Sequence, residues 1–388
     1  MGFTSTTLLA MSPSICAGPS RPLKPALGVC LLTIPGATWP SHILVQLPLP
    51  ESALPAFALK IPVAMLSYNP AAVLSQAAPR PPASKLSTQQ APYISSTGTI
   101  TTSGAAAHGI YVDLAGATTV SVGGTIAAGG SGSDGVQLKD VGTAAVDISG
   151  SVSGGSGTGA GLRLSSLGSA DTPTVAIRGS LGALSDIAIV DGNGSVTINN
   201  SGTMTGIVSL GSGDDVLNNE SNGTWYLRSG DNAAVADFGS GTDSVVNNGT
   251  LSQLKGTQLS WQGSLTNLES FTNSGTIDLA DGHAGDTLSI SGNFVSNGGT
   301  LKVDTVLDDG ATPQTDMLQL DTVTTSSGPT HIQIENVGGR GGQTSGNGIQ
   351  IIDVVTSSVS DAFDLAKRRP TEVPDVRKSH AIEAQLAG

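Results

Sequence analysis

One short pattern recurs along most of the chain and constrains its fold more than any other feature. A glycine followed by Thr or Ser and then by an apolar residue returns every 21 to 29 residues. A fixed period of this length predicts stacked repeats, because one repeat alone cannot bury its apolar face. The apolar member of the pattern is Ile100, Ile126, Val152, Leu181, Met204, Trp225, Leu251, Ile277 and Leu301.

Two further apolar columns repeat with nearly the same period in the first half of this region. Their residues alternate with polar ones, which is typical of half-buried strands. Three short strands in each repeat of about 25 residues predict an all-β fold, a right-handed parallel β-helix whose coils stack roughly 4.8 Å apart. The two columns are Ile110, Val136, Leu162 and Ile187, and Val120, Val146, Val175 and Val196.

Asparagines occur shortly before several of the repeat glycines. Left-handed backbone conformation costs least for Gly and Asn, so this position predicts corners between strands. Asparagines stacked at one corner can also hydrogen-bond along the stack. The candidates are Asn200, Asn219, Asn248, Asn273 and Asn297.

Composition divides the chain into regions. Residues 1–90 hold 14 of the 20 prolines but 4 of the 52 glycines, and Glu51 is their one acidic residue. Between residues 91 and 366 there are 26 acidic and 7 basic residues, a net charge of −19. We expect 1–90 to be a Pro-rich, disordered segment, 91–300 to be the β-helix, 301–366 its cap and 367–388 a disordered tail.

The same composition excludes several classes of partner and site. An acidic body without a basic stripe repels phosphate backbones, so nucleic acid is not an expected partner. Both cysteines, Cys16 and Cys30, lie in the first segment, so the body has no disulfide and no thiolate metal site. Arg21 and Lys24 followed by the apolar stretch 26–37 form, at most, an atypical export signal.

From about Gly275 onward the sequence resembles the C-terminal part of pertactin-like autotransporter passengers of type V secretion. The resemblance covers 275–366 closely and 91–274 more loosely as passenger repeats. Unusual glycine clusters occur in the family's order. The segments that carry it are 285–290, 293–295, 298–301, 304–309, 316–318, 337–339, 346–349 and 352–355.

The resemblance implies a non-catalytic adhesin or virulence-associated rod at the surface of a Gram-negative bacterium, exposed or secreted. In the family, the end of the β-helix is an autochaperone region that caps the rod and seeds folding. A host surface protein or glycan is then the expected partner. Family members continue into an outer-membrane β-barrel translocator, for which residues 367–388 leave no room. We hypothesise that both ends come from a shifted or mis-assigned reading frame.

Two glycine-Asp motifs offer an alternative chemistry. Residues 211–217 and 239–245 resemble the calcium-binding nonapeptide of RTX toxins, whose oxygen ligands suit a hard cation. However, Leu210 and Phe238 replace the first glycine, and the motifs lie 28 residues apart instead of nine. Corner turns are therefore the preferred interpretation, and a calcium-stabilised solenoid remains an alternative.

Parallel β-helices also include carbohydrate-active enzymes, in which carboxylates project from one face as acid, base or nucleophile. Asp215, Asp243 and Asp286 are the candidates for such a face. The body is poor in aromatic and basic residues, which sugar clefts need beside the acids. We therefore expect no enzyme, with no catalytic, cofactor-binding or metal-binding residue assigned and no cofactor.

The remaining candidates favour structural roles. Histidines 108, 283 and 331 have no metal-ligand spacing and are expected at solvated surface positions. The glycine-rich stretch 338–342 lacks the Lys-Ser/Thr of a phosphate-binding loop, so a flexible hairpin in the cap is expected.

Overall fold

The structure is a computed structural model of the 388-residue chain. It describes residues 93–165, 168–228, 233–254, 260–307, 314–341 and 348–365. Within the first 90 residues it describes the backbone of four strands. Apart from these strands, residues 1–90, with their predicted disorder and export signal, fall outside the described residues, as does the predicted disordered tail. The four strands are Val29–Thr33, His42–Gln46, Leu66–Ser67 and Leu74–Gln76.

The fold is a parallel β-solenoid, as the repeat predicts. Each coil contributes strands to three faces, and each strand pairs in parallel with its equivalent in the next coil. The described residues contain no helix, and so none that is long and apolar enough to cross a membrane. The right-handed sense remains a prediction from the general rule for parallel crossovers.

The first face is a twelve-stranded parallel sheet that begins with Leu74–Gln76. Eleven further strands follow, and the first nine of them start directly after a repeat glycine. The eleven are Thr99–Thr102, Thr125–Ala128, Ser151–Gly154, Ser180–Ala183, Thr203–Thr205, Thr224–Arg228, Thr250–Leu254, Thr276–Asp278, Thr300–Thr305, Thr330–Asn336 and Phe363–Leu365.

The second and third faces share four long strands that bend across the corner between them: Ile110–Val122, Val136–Ile148, Thr287–Asn297 and Met317–Gly328. The other strands of the second face are Leu162–Ser165, Ile187–Val190, Ile207–Ser209, Ala233–Asp237, Gln262–Thr266 and Ile352–Ser357. Those of the third face are Leu66–Ser67, Tyr93–Ser96, Thr174–Ile177, Thr197–Asn200, Val216–Asn219, Ser244–Asn247 and Ser270–Asn273.

The nine-residue column from Ile100 to Leu301 is confirmed in full. Each member lies opposite the next one in the neighbouring coil. Ile100 is half-buried in the first of these coils, and the other eight are buried. The register extends two coils further, to Ile332 and Leu365. Apolar side chains thus stack along the first face through the described solenoid.

Each of the other two predicted columns is wrong at its fourth member. Leu162 pairs with Ile189, two residues beyond the predicted Ile187. Val175 pairs with Ile198, two residues beyond the predicted Val196. In Thr197–Asn200 the alternation of buried and half-buried residues holds while the alignment between coils changes, whereas in Ile187–Val190 both middle residues are buried.

The repeat glycines are required for a different reason from the one the sequence indicates. Gly124 and Gly150 have no left-handed backbone conformation. A Cβ on Gly124 would lie 2.0 Å from the carbonyl oxygen of Gly98, and one on Gly150 would lie 2.0 Å from that of Gly124. The backbones of successive coils therefore approach so closely at this corner that only a hydrogen atom fits between them.

The core becomes aromatic towards the C-terminal end. Trp225 is fully buried, and its indole Nε1 donates to the carbonyl oxygen of Gly206 at 2.9 Å. The rings of Phe271, Phe294 and Phe363 form a stack with centroid separations of 5.7 and 5.8 Å. Phe363 belongs to the last described strand, so this stack ties the end of the rod to the coils before it.

Candidate functional site

Four buried asparagines form a hydrogen-bonded ladder inside the third face, which we call the asparagine ladder: Asn200, Asn219, Asn247 and Asn273. The side-chain amide of each of the first three donates to the side-chain carbonyl of the next, at 2.8, 2.8 and 2.9 Å. The same amides also donate to backbone carbonyls at the start of first-face strands, at 3.0 to 3.2 Å. The ladder thus ties two faces together.

The prediction of stacked asparagines is confirmed at three positions and wrong at two. Asn247 takes the place predicted for Asn248, and Ser296 the place predicted for Asn297. The Ser296 hydroxyl bonds with the carbonyl oxygen of Gly328 and the hydroxyl of Thr330, so the ladder ends below it. The side-chain nitrogen of Asn273 is left buried without a hydrogen-bond partner.

A stack of carboxyl groups lies at the corner between the second and third faces, which we call the acid seam. It comprises Asp191, Asp215 and Asp243, from successive coils and 6%, 0% and 1% exposed. Asp215 Oδ1 accepts the backbone amide of Val196 at 2.7 Å, and Asp243 Oδ1 accepts the backbone amide of Asp215 at 2.7 Å. The second oxygens of Asp215 and Asp243 are buried and have no hydrogen-bond partner.

Burial dominates the ionisation of this seam. It raises the pKa of Asp215 to about 7 and those of Asp191 and Asp243 to about 6, from an ordinary value of 3.8. Backbone amides lower these pKa values in part, and neighbouring carboxylates raise them further. The charges that act on Asp215 come from Asp243, Asp191 and Asp214, all of which are acidic.

A second carboxyl cluster lies in the coils nearer the C-terminus and is built differently. Asp316 Oδ1 accepts the backbone amides of Gly285 and Asp286 at 2.9 Å, and its Oδ2 accepts that of Asp304 at 2.7 Å. Burial still raises the pKa of Asp316 to about 7. Both of its oxygens serve as backbone acceptors, so this side chain connects the end of the first face to the corner before the second.

The structure brings together two of the three candidate catalytic carboxylates. Asp215 and Asp243 are neighbours in the acid seam, whereas Asp286 belongs to the second cluster, where it accepts the Trp261 amide at 2.8 Å. All three are at most 1% exposed. In this arrangement they hold backbone amides inside the rod and do not project from an outer face.

The two glycine-Asp motifs form the corner of the acid seam. Gly213 and Gly241 take φ values of 139° and 153°, and the exposed Asp214 accepts the backbone amide of Thr242 at 2.8 Å. Within the residues that the structure describes, no group of three or more His, Cys, Asp or Glu side chains is arranged to hold a metal ion. The corner-turn interpretation accounts for what these motifs do in the fold.

The three body histidines lie apart, in different settings. His108 is half-buried, stacks on Tyr111 with ring centroids 5.6 Å apart, and accepts the Asp134 backbone amide at 3.0 Å. His283 lies on the surface with its Nδ1 3.6 Å from Asp281, and His331 pairs with an exposed Asp364. His108 is therefore a structural residue, less solvated than predicted.

The glycine-rich stretch forms a turn beside the cap. The side-chain oxygen of Asn336 accepts the backbone amides of Gly338 and Gly339, and the amide of Gly341 donates to the carbonyl oxygen of Leu307 at 2.7 Å. Gly342 falls outside the described residues.

Residues 233–371 match the family model of Autochaperone Domain Type 1. The match covers 139 of the 388 residues and agrees with the solenoid described above. The chain fits a pertactin-like autotransporter passenger. The matched segment contains the phenylalanine stack, the last two rungs of the asparagine ladder, the second carboxyl cluster and Asp243 of the acid seam. It begins within the repeats and not at the predicted cap.

The chain is also similar to the uncharacterized protein YuaQ of Escherichia coli strain K12. The two are 30% identical over 177 residues, which is 46% of this chain and 11% of YuaQ. The chain thus spans about a tenth of the length of the relative it matches.

Sequence reasoning missed the acid seam as a buried unit, and it also missed the fully buried Trp261. One available signal was the spacing of two residues from a buried column to the next inward position. From Leu217 and Val245 this spacing leads to Asn219 and Asn247. The same spacing, counted backwards, leads from Leu217 to Asp215 and from Val245 to Asp243. Counted forwards from Ile189, it leads to Asp191, so the signal was also available for the seam.

Proposed function

We propose that this chain is the non-catalytic, adhesive part of a passenger that stands at the bacterial surface or is released from it. Its role is to present an extended, rigid, polar surface to a host protein or glycan. The match to the autochaperone family supports the surface or secreted location. We also keep, as a proposal, the division of the chain into a Pro-rich segment (1–90), a β-helix (91–300), a cap (301–366) and a tail (367–388).

The observation that carries this proposal is a column of short hydroxyl side chains on the outside of the first face. They pair in register from coil to coil, and each alternates with the buried column that starts at Ile100. We call this set the hydroxyl column: Thr99, Thr125, Ser151, Ser180, Thr203, Thr224, Thr250, Thr276 and Thr300.

Such a column suits adhesion better than turnover. Short hydroxyls lose little rotamer freedom on binding and can donate or accept hydrogen bonds, and a spacing of roughly 4.8 Å repeats them over about 40 Å. The carboxyl groups that could act as acid or base are buried at the corners. Contact with a partner is therefore spread over a face instead of converging on one cleft.

Binding of the labelled full chain to cultured host cells and to immobilised matrix proteins and glycans tests the proposal. We expect saturable binding that is lost when Thr203 and Thr250 are changed to Lys. Lysines placed at Thr197 and Thr272, which are half-buried on the third face, serve as the matched control and should leave binding unchanged. Equal binding by both variants, or none by the wild type, would refute an adhesive first face.

The non-catalytic part has its own test. The chain is incubated with soluble polysaccharides, and new reducing ends and unsaturated products are measured. We expect none above the background of a heat-denatured sample, and sustained product release would contradict the proposal.

A further inference from the structure

The acid seam lies across the boundary of the segment that matches the autochaperone family. Asp243 is within that segment, whereas Asp215 and Asp191 precede it. The contact between the two parts at this corner is direct, because the Asp243 carboxyl accepts the Asp215 backbone amide at 2.7 Å. The neighbouring strands Val216–Asn219 and Ser244–Asn247 are paired in parallel across the same boundary.

The charged groups that face the seam are carboxylates from every neighbouring turn. Asp214 lies beside both Asp215 and Asp243, and Asp237 and Glu269 act on Asp243. Glu269 also accepts the Asp243 backbone amide at 2.7 Å. Among the described residues, no Lys, Arg or His forms an ion pair with the three seam aspartates.

The buried oxygens without partners show where protons can reside. Asp215 Oδ2 and Asp243 Oδ2 are shielded from solvent and receive no hydrogen bond. A buried carboxylate in this position would have neither a cation nor a donor on that oxygen, which is costly. A protonated carboxyl group places its hydrogen there and removes the charge, while the first oxygen keeps its backbone amide.

We propose that the acid seam is a proton-controlled clasp: it joins the autochaperone-matched coils to the preceding coils in acid and opens when its aspartates ionise. The pKa values of Asp215 and Asp243 agree with this, since both are raised in the folded rod by burial. A carboxyl whose pKa is raised in the folded state stabilises the closed clasp fully only when the pH is below its unfolded pKa, here 3.8. That stabilisation disappears as the pH rises through about 6 to 7.

Hydrogen exchange on the full chain tests the clasp at pH 5, 6, 7 and 8, after correction for the intrinsic exchange rate. Between its unfolded and its folded pKa, each such carboxyl raises the equilibrium constant for opening the corner by about tenfold for every unit that the pH rises. We expect protection at residues 213–216 and 241–244 to fall on the order of a hundredfold or more between pH 5 and pH 8. Protection that does not change with pH would overturn the proposal.

The double variant Asp215→Asn with Asp243→Asn isolates the seam. An amide nitrogen can occupy the position of each unpartnered oxygen while Oδ1 still accepts its backbone amide, so we expect this variant to keep at pH 8 the protection that the wild type has at pH 5. Asp321→Asn makes the control, because it removes one exposed carboxylate in a later coil. It should retain the wild-type dependence on pH.

A calcium arm separates protons from a metal ion. The wild type is measured at pH 8 with 5 mM Ca²⁺ and with a chelator, a concentration of about 10⁻³ M being ample for weak extracellular-type sites. Unchanged exchange supports the clasp. Protection restored by Ca²⁺ and removed by the chelator would assign the seam to a cation and overturn it. Since cell binding is measured separately, failure of the clasp and failure of the adhesive function are distinguishable.

Discussion

Replacing Asn219 by isoleucine should destabilise the rod far more than replacing Asn218, its outward-facing neighbour. Asn219 is fully buried, accepts a hydrogen bond from Asn200 at 2.8 Å and donates one to Asn247 at 2.8 Å. Asn218 is half-buried and donates to Asn199 at 2.9 Å, where water can replace the partner.

The magnitude follows from the buried groups that lose their partners. The change leaves an amide hydrogen of Asn200 and the side-chain oxygen of Asn247 unsatisfied, and each such group costs about 1–3 kcal/mol. The two groups together cost about 2–6 kcal/mol, which is partly offset by the apolar surface that isoleucine buries. The Asn218→Ala control should cost less than about 1 kcal/mol.

Isoleucine at all four rungs should recover most of this loss, because no buried amide then lacks a partner. The column itself shows that the shape fits: Ile148 and Ile177 occupy the two coils before the ladder, and Ile177 lies directly opposite Asn200. The fourfold variant is thus predicted to be more stable than the single one, although it carries four times as many changes.

Urea unfolding followed by hydrogen exchange measures both effects coil by coil, since a solenoid need not unfold in one step. The reasoning is refuted if the Asn218 and Asn219 variants are equally stable, or if the fourfold variant is less stable than the single one.

Three further predictions concern other parts of the rod. Asp316→Asn should lower stability by about 1–3 kcal/mol at pH 5 in thermal melts, because an amide cannot accept backbone hydrogen bonds on both of its ends as this carboxyl does; an unchanged melting temperature would contradict this. Gly124→Ala should break the pairing of its coil, because the added Cβ would collide with the coil before it. Gly298→Ala has open space around it and a φ of +81°, so it should lower the free energy of unfolding by only about 1 kcal/mol. Chemical denaturation of the two variants compares these losses. Phe363→Ala should release the last strand to proteases before the body of the rod, and simultaneous cleavage throughout would argue against a separate anchoring role for its ring.

The sequence predicts the first face almost completely, and the contact at the repeat glycines explains why. A side chain at Gly124 or Gly150 would collide with the backbone one coil earlier, so glycine is required at the same point in coil after coil. The strand that follows always starts with the same alternation. A steric requirement repeated at fixed spacing is visible in one sequence without any knowledge of the structure.

The alignment of the other faces is less predictable because corners vary in length. Leu162 faces Ile189 and not Ile187, and the strand Ile187–Val190 is apolar throughout, so it has no alternation from which this choice could be read. Paired asparagines raise the same problem on a smaller scale. In Asn247-Asn248 either residue could point inward, and only the register with Val245 two residues earlier decides between them.

The buried polar columns also bear on how the register of the rod is specified. An apolar column tolerates a shift between coils, because one aliphatic side chain packs against another with modest loss. The asparagine ladder does not, since a shift by one residue would turn the amides outward and place Asn218 and its equivalents opposite apolar neighbours. Polar groups that are satisfied in one alignment alone favour that alignment over the others, in the manner attested for a buried asparagine in coiled coils. The ladder begins before residue 233 and ends within the autochaperone-matched segment, so it fixes the alignment of that segment with the coils that precede it.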